Sequence, residues 1–191
     1  VVVYHQDGAI TDYDYLIEKM RQNRVVAAHA TGIVPIAEGQ VMVSANGNNS
    51  GAMARGIRMS DLAAKTATGT RIYGKSLDKI RDGELVAGNS LTRSLRVTMG
   101  DNVSLISANG GTATPFGTMP RIMSYPVMSS FFMGMYEYDS GYIFMPLETA
   151  QKYLNLNDAV THIDLFLDNP EDTRSVVDAL AELLPGGFVV R

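Results

Sequence analysis

The same order of elements is written at both ends of this chain: an apolar strand, a helix with one apolar face, and a second strand. Residues 1–5 are β-formers. Thr11 offers an N-cap, with Asp14 placed as in a capping box. Tyr13, Leu16, Ile17 and Met20 then recur at i, i+3, i+4 and i+7, which predicts a helix to Gln22 with one apolar face. A strand over 25–34 comes next. Near the other end, residues 160–167 alternate Ile163, Leu165 and Leu167 against His162, Asp164 and Phe166. Asn169 caps a helix with Pro170 at its first position, where the missing N–H costs nothing. Val176, Val177, Leu180 and Leu184 form its apolar face. Pro185-Gly186-Gly187 ends it, and residues 188–190 begin a last strand. Two such β-α-β units can share one sheet under two helices, which would bring both ends of the chain into one subdomain.

Between them the pattern changes to short strands and many turns. Strands are expected at 40–45, 52–57 and 103–107, with loops at 46–51 and 97–101. Ser60 and Ser76 can each cap a short helix. Residues 83–86 lead into a helix carrying Leu91 and Leu95 on one side. Two strands, 129–138 and 142–145, flank the turn Asp139-Ser140-Gly141. A helix over 147–155 buries Ala150, Tyr153 and Leu154. The expectation is an α+β fold. Residues 1–45 and 158–191 form a discontinuous β-α-β subdomain, and 46–157 form a β-rich one.

Residues 102–136 carry a single charge, Arg121. Their centre, 110–125, holds Gly110, Gly111, Pro115, Gly117 and Pro120 among Phe116, Met119, Ile122, Met123 and Tyr125. A connection far longer than the usual ~4–6 residues is commonly functional. This one reads as a hairpin arm whose prolines block further edge pairing.

Several chemistries are excluded. Cysteine is absent, which removes disulfides, thiol catalysis and thiolate zinc sites. Sixteen basic residues are scattered among 20 acidic ones, without the clustered patch of a nucleic-acid surface. No phosphate-binding glycine loop or nucleophile elbow occurs. His5, His29 and His162 lack metal-ligand spacing along the chain, so no metal and no cofactor are expected. The eleven Met residues read mainly as core filler. Glu137 and Asp139, two apart in an expected strand and beside Tyr136, Tyr138 and Tyr142, could form an acid/base pair on a sugar. A polar hairpin tip accounts for them better, and no enzyme is expected. No segment reaches the ~20 apolar residues of a membrane span. The apolar runs at both ends suggest a domain taken from a longer protein.

The residues resemble a family. Residues 83–88 (Gly-Glu-Leu-Val-Ala-Gly) with Leu91, then 95–103 (Leu-Arg-Val-Thr-Met-Gly-Asp-Asn-Val), are similar to a stretch of LolC/LolE and MacB-like permeases. Residues 114–120 (Thr-Pro-Phe-Gly-Thr-Met-Pro) resemble the proline-bounded hairpin of LolC-type subunits. Residues 134–141, Pro146-Leu147 and Ala150-Gln151 resemble the segment after that hairpin, and Gly56-Ile57 a strand end before it. The resemblance implies a periplasmic domain of an inner-membrane lipoprotein-releasing permease, built from a porter-like subdomain and a β-rich Sabre insertion. The hairpin, called the Hook, would recruit the lipoprotein chaperone LolA through Thr114, Pro115, Phe116, Gly117, Thr118, Met119, Pro120 and Arg121, with Phe116 as anchor. Further partners implied are a second permease subunit, a cytoplasmic ATPase and the lipoprotein cargo. A MacB-like or FtsX-like domain that transmits force to another envelope partner is the alternative.

Overall fold

The computed structural model describes residues 1–66, 69–115 and 117–191, with the side chains of 108–110 and 112 left out. The chain runs β1 (Val2–His5), α1 (Tyr13–Gln22), α2 (Arg24–His29), β2 (Ala30–Ala45), β3 (Asn48–Ile57), α3 (Met59–Lys65) and β4 (Arg71–Gly74). A 3-10 turn (Leu77–Lys79) leads to β5 (Leu85–Gly88), α4 (Asn89–Ser94), β6 (Asn102–Thr114) and β7 (Gly117–Phe132). Then come α5 (Tyr136–Gly141), β8 (Tyr142–Pro146), α6 (Leu147–Tyr153), β9 (His162–Leu167), a 3-10 turn (Pro170–Asp172), α7 (Thr173–Leu183) and β10 (Phe188–Val190). Two compact units result: Val1–Ala37 with Asp158–Arg191, and Glu38–Asn157. The first division falls after Ala37 rather than after residue 45. β2 crosses it unbroken, and from Glu38 onward the strand packs in the second unit, where Gly39 lies against the Leu154 side chain.

In the first unit the strand order is β10-β1-β9-β2, and every neighbouring pair is antiparallel. β1 and β2 are therefore parallel with β9 between them, and β9 and β10 are parallel with β1 between them. Each β-α-β crossover is split by a strand of the other. Leu16, Ile17 and Met20 of α1 are buried, as are Val176 and Leu180 of α7 and Leu184 just beyond it. Asn169 accepts from the Glu171 N–H (3.1 Å) ahead of Pro170, and the first turn there is 3-10. Two local expectations need correction. The residue preceding α1 is Asp12, without a side-chain cap, not Thr11. Residues 25–29 are helical, because the Asn23 side chain accepts from the N–H groups of Val25 (3.0 Å) and Val26 (3.2 Å). That cap outweighs the β preference of two valines, and Val26 is buried besides.

The second unit is a mixed sheet. β3 pairs parallel with β8, β5 parallel with β7 and antiparallel with β8, β4 antiparallel with β7, and β6 antiparallel with both β2 and β7. Leu85, Leu91, Leu95, Leu105, Phe131, Ile143 and Met145 form its core. The expected loop over 46–51 contracts to Asn46-Gly47, both at positive φ, which is the two-residue hairpin turn such a pair favours. The strand expected to reach residue 138 ends at Phe132, and 136–141 form helix α5. Gly134 at positive φ breaks the strand, and Asp139 draws the chain back by accepting backbone N–H groups of Met133 and Gly134. The methionines are not mainly core filler: Met20 and Met145 fill core, Met53, Met59, Met128 and Met133 are half-buried, and Met42, Met99, Met119, Met123 and Met135 are exposed.

Candidate partner-binding hairpin

β6 and β7 pair from Asn102↔Pro126 to Ser107↔Arg121, and again from Thr112↔Met119 to Thr114↔Gly117, with a register shift between Ser107 and Thr112. Pro120, which has no N–H to give a ladder, falls opposite that irregularity. Two features let the distal strands close. A Cβ on Gly111 would run into the Met119 carbonyl oxygen, so only glycine fits there. Gly117 takes φ +121°, and the Thr114 hydroxyl donates to its carbonyl at 2.6 Å.

Of the residues expected to bind a partner, Pro115, Gly117, Thr118, Met119 and Pro120 are exposed, and Thr114 and Arg121 are partly so. Phe116, the expected anchor, lies outside the described residues. Met119 is 62% exposed and Ile122 58%, with Met123 exposed beside them. Pairing register reveals two residues the sequence did not single out. Met42 pairs with Ile106, and Ile106 with Ile122, which makes an apolar row across three strands on one sheet face. On the same face the next row is Ser44, Ser104 and Ser124.

Arg121, the charge of this segment, lies at the shift in register. Its Nε is buried and has no hydrogen-bond partner among the described residues. Nearby, the Tyr125 and Tyr153 rings meet edge-on at 6.1 Å. Burial pushes the Tyr125 phenol above its ordinary value and the Tyr153 phenol up to about 12. Asp82 is held below the usual carboxylate range, first by its hydrogen bond from the Lys152 ammonium (2.7 Å) and then by that from Thr149.

Glu137 and Asp139 do not form an acid/base site. On α5 the two do not share a face. Glu137 is exposed, while Asp139 is buried and committed to backbone N–H groups. The histidines sit beside carboxylates: His5 near Asp7, His162 near Asp164, and His29 near Asp168 and Asp172.

No protein-family model matches the chain. Sequence relatives do. It is 31% identical over 161 residues to the lipoprotein-releasing system transmembrane protein LolC of Xylella fastidiosa, covering 83% of this chain and 38% of that protein. It is 23% identical over 176 residues to LolC of Neisseria meningitidis serogroup B, covering 91% of this chain and 41% of that protein. The chain thus spans about two fifths of the relatives it matches. In fold it is similar to the extracellular domain of the noncanonic ABC-type transporter YknZ from Gram-positive bacteria, with a TM-score of 0.63, 11% identity and coverage of 100% and 98%. It is also similar to the periplasmic region of MacB from Actinobacillus actinomycetemcomitans, with a TM-score of 0.58, 11% identity and coverage of 98% and 86%.

The fold is thus that of the extracellular and periplasmic domains of YknZ and MacB. Within that class of fold, the sequence is similar to the LolC proteins of lipoprotein-releasing systems. Among the described residues no helix is long and apolar enough to cross a membrane.

Proposed function

We propose that the β6–β7 hairpin is a docking arm for a LolA-like periplasmic lipoprotein chaperone, on a permease anchored in the bacterial inner membrane. In this reading the first unit is the porter-like subdomain and the second the Sabre-like insertion. The domain relays cargo release driven by a separate cytoplasmic ATPase, in company with a second permease subunit. One observation carries the reading: Met119, Ile122 and Met123 are exposed on a hairpin held by glycine and proline and free of charge beyond Arg121. Proline and close strand pairing limit the free conformations, so docking orders little that is not already ordered. A carrier of acyl chains must present an apolar groove, and thioether and aliphatic side chains fill such grooves adaptably.

The test is a calorimetric titration of the cognate chaperone against the wild type, a deletion of residues 111–122, and the double variant Met119→Ala, Ile122→Ala. Loss of binding in both variants supports the arm. Full binding by a folded deletion variant removes it, and leaves the MacB-like reading, in which force passes to another envelope partner.

A further inference from the structure

We propose that His29, Asp168 and Asp172 form a three-ligand site for a divalent transition-metal ion of the zinc class, in the unit that does not carry the hairpin. The imidazole Nδ1 of His29 stands 3.1 Å from an Asp172 carboxylate oxygen and 3.8 Å from one of Asp168. The three ligand atoms all lie within 4.8 Å of one another. With metal–ligand bonds of about 2.0–2.2 Å, ligands on a tetrahedral zinc sit about 3.4 Å apart. Small side-chain rotations therefore bring this tripod onto one ion.

The backbone under the tripod is already fixed. The Asp168 N–H donates to the His29 carbonyl (3.0 Å), which ties the end of α2 to the turn that opens α7. The Asn169 N–H holds one Asp168 oxygen at 2.9 Å, and the Asn169 side chain caps the following turn. Charge also favours a cation. Among the described residues neither carboxylate pairs with a Lys or Arg, so two negative groups face one imidazole. His29 and Asp172 keep side-chain exposures of 31% and 30%, which leaves a fourth position open to water. One nitrogen and two oxygens suit zinc and its borderline neighbours. Calcium and magnesium want an all-oxygen shell, and the imidazole selects against them. Along the sequence the site is invisible, because its histidine and its carboxylates lie at opposite ends of the chain.

Zinc chloride is titrated calorimetrically into chelator-stripped protein, for wild type, His29→Ala, Asp172→Asn and, as control, His162→Ala. One zinc per chain is expected, with binding weakened about tenfold or more in the first two variants and unchanged in the control. Cobalt substitution should give visible absorption in wild type that His29→Ala abolishes, and calcium should not compete. Each variant's unfolding in excess chelator shows whether it is folded. If Asp172→Asn is not, Asp168→Asn replaces it. The proposal falls if wild type takes up no zinc, if His29→Ala binds as tightly as wild type, or if only His162→Ala loses the metal.

Discussion

The carboxylate of Asp139 accepts the backbone N–H of Met133 at 2.7 Å while only 2% of the residue is exposed. A second bond, from Gly134 at 3.1 Å, completes a clasp between the end of β7 and α5. A donor left without an acceptor away from water costs about 1–3 kcal/mol, and of the two residues Met133 is half-buried while Gly134 is exposed and can turn to water. Asp139→Ala should therefore lower the unfolding free energy by about 2 kcal/mol in urea titration. Asp139→Asn, which keeps one acceptor, should lose about half of that.

Gly88 packs under the same helix. A Cβ there would meet the Asp139 carbonyl oxygen, with its carbonyl carbon at 2.6 Å and the Tyr138 oxygen at 2.9 Å, all of them backbone atoms that cannot swing aside. Gly88→Ala should destabilise by about 1–3 kcal/mol, the cost of overpacking a closed core. Gly51→Ala, where nothing lies within 4 Å, should stay within about 0.5 kcal/mol of wild type. Paired urea melts check both.

Met119 and Ile122 are exposed, so truncating them removes little that holds the fold. Met119→Ala and Ile122→Ala should each leave unfolding within about 0.5 kcal/mol of wild type. Under the proposed function the pair together should cost chaperone binding about 2 kcal/mol, or roughly 30-fold in affinity. Urea titration and calorimetry on the same samples separate the two effects.

How legible each element is in the residues depends on how local its causes are. Asn169-Pro170, the Leu91 and Leu95 pair and the alternation of Ile163 and Leu165 all act within a few residues, and the elements they announce are present. The helix at 24–29 is hidden because two valines mask the cap supplied by Asn23. The Asn46-Gly47 turn is a local signal, but the polar residues after it make the stretch look like a longer loop. The hairpin stretch stands out because charge is nearly absent from it. The Met42–Ile106–Ile122 row does not, because it exists only once three strands are in register. The cluster of His29 with Asp168 and Asp172 needs the chain closed on itself before it exists at all.

Tyr153 offers the last test, because its ring is fully buried and its hydroxyl has no hydrogen-bond partner among the described residues. Burial raises its folded pKa from 10.0 to about 12. Above pH 10 the unfolded chain gives up this proton while the folded chain keeps it. Unfolding is then favoured as pH rises. The contribution is whole below pH 10 and is lost through about pH 12, a fall of about 2–3 kcal/mol. Tyr153→Phe keeps the ring and removes the unpaired hydroxyl, so at pH 7 it should be neutral or stabilising by up to about 1 kcal/mol. The variant should also lose stability less steeply between pH 10 and 12 than wild type does. Tyr125, raised by burial as well, accounts for part of the slope that remains. Urea melts of both proteins across that range read the difference, and parallel curves would mean that the Tyr153 hydroxyl reaches solvent in the folded protein.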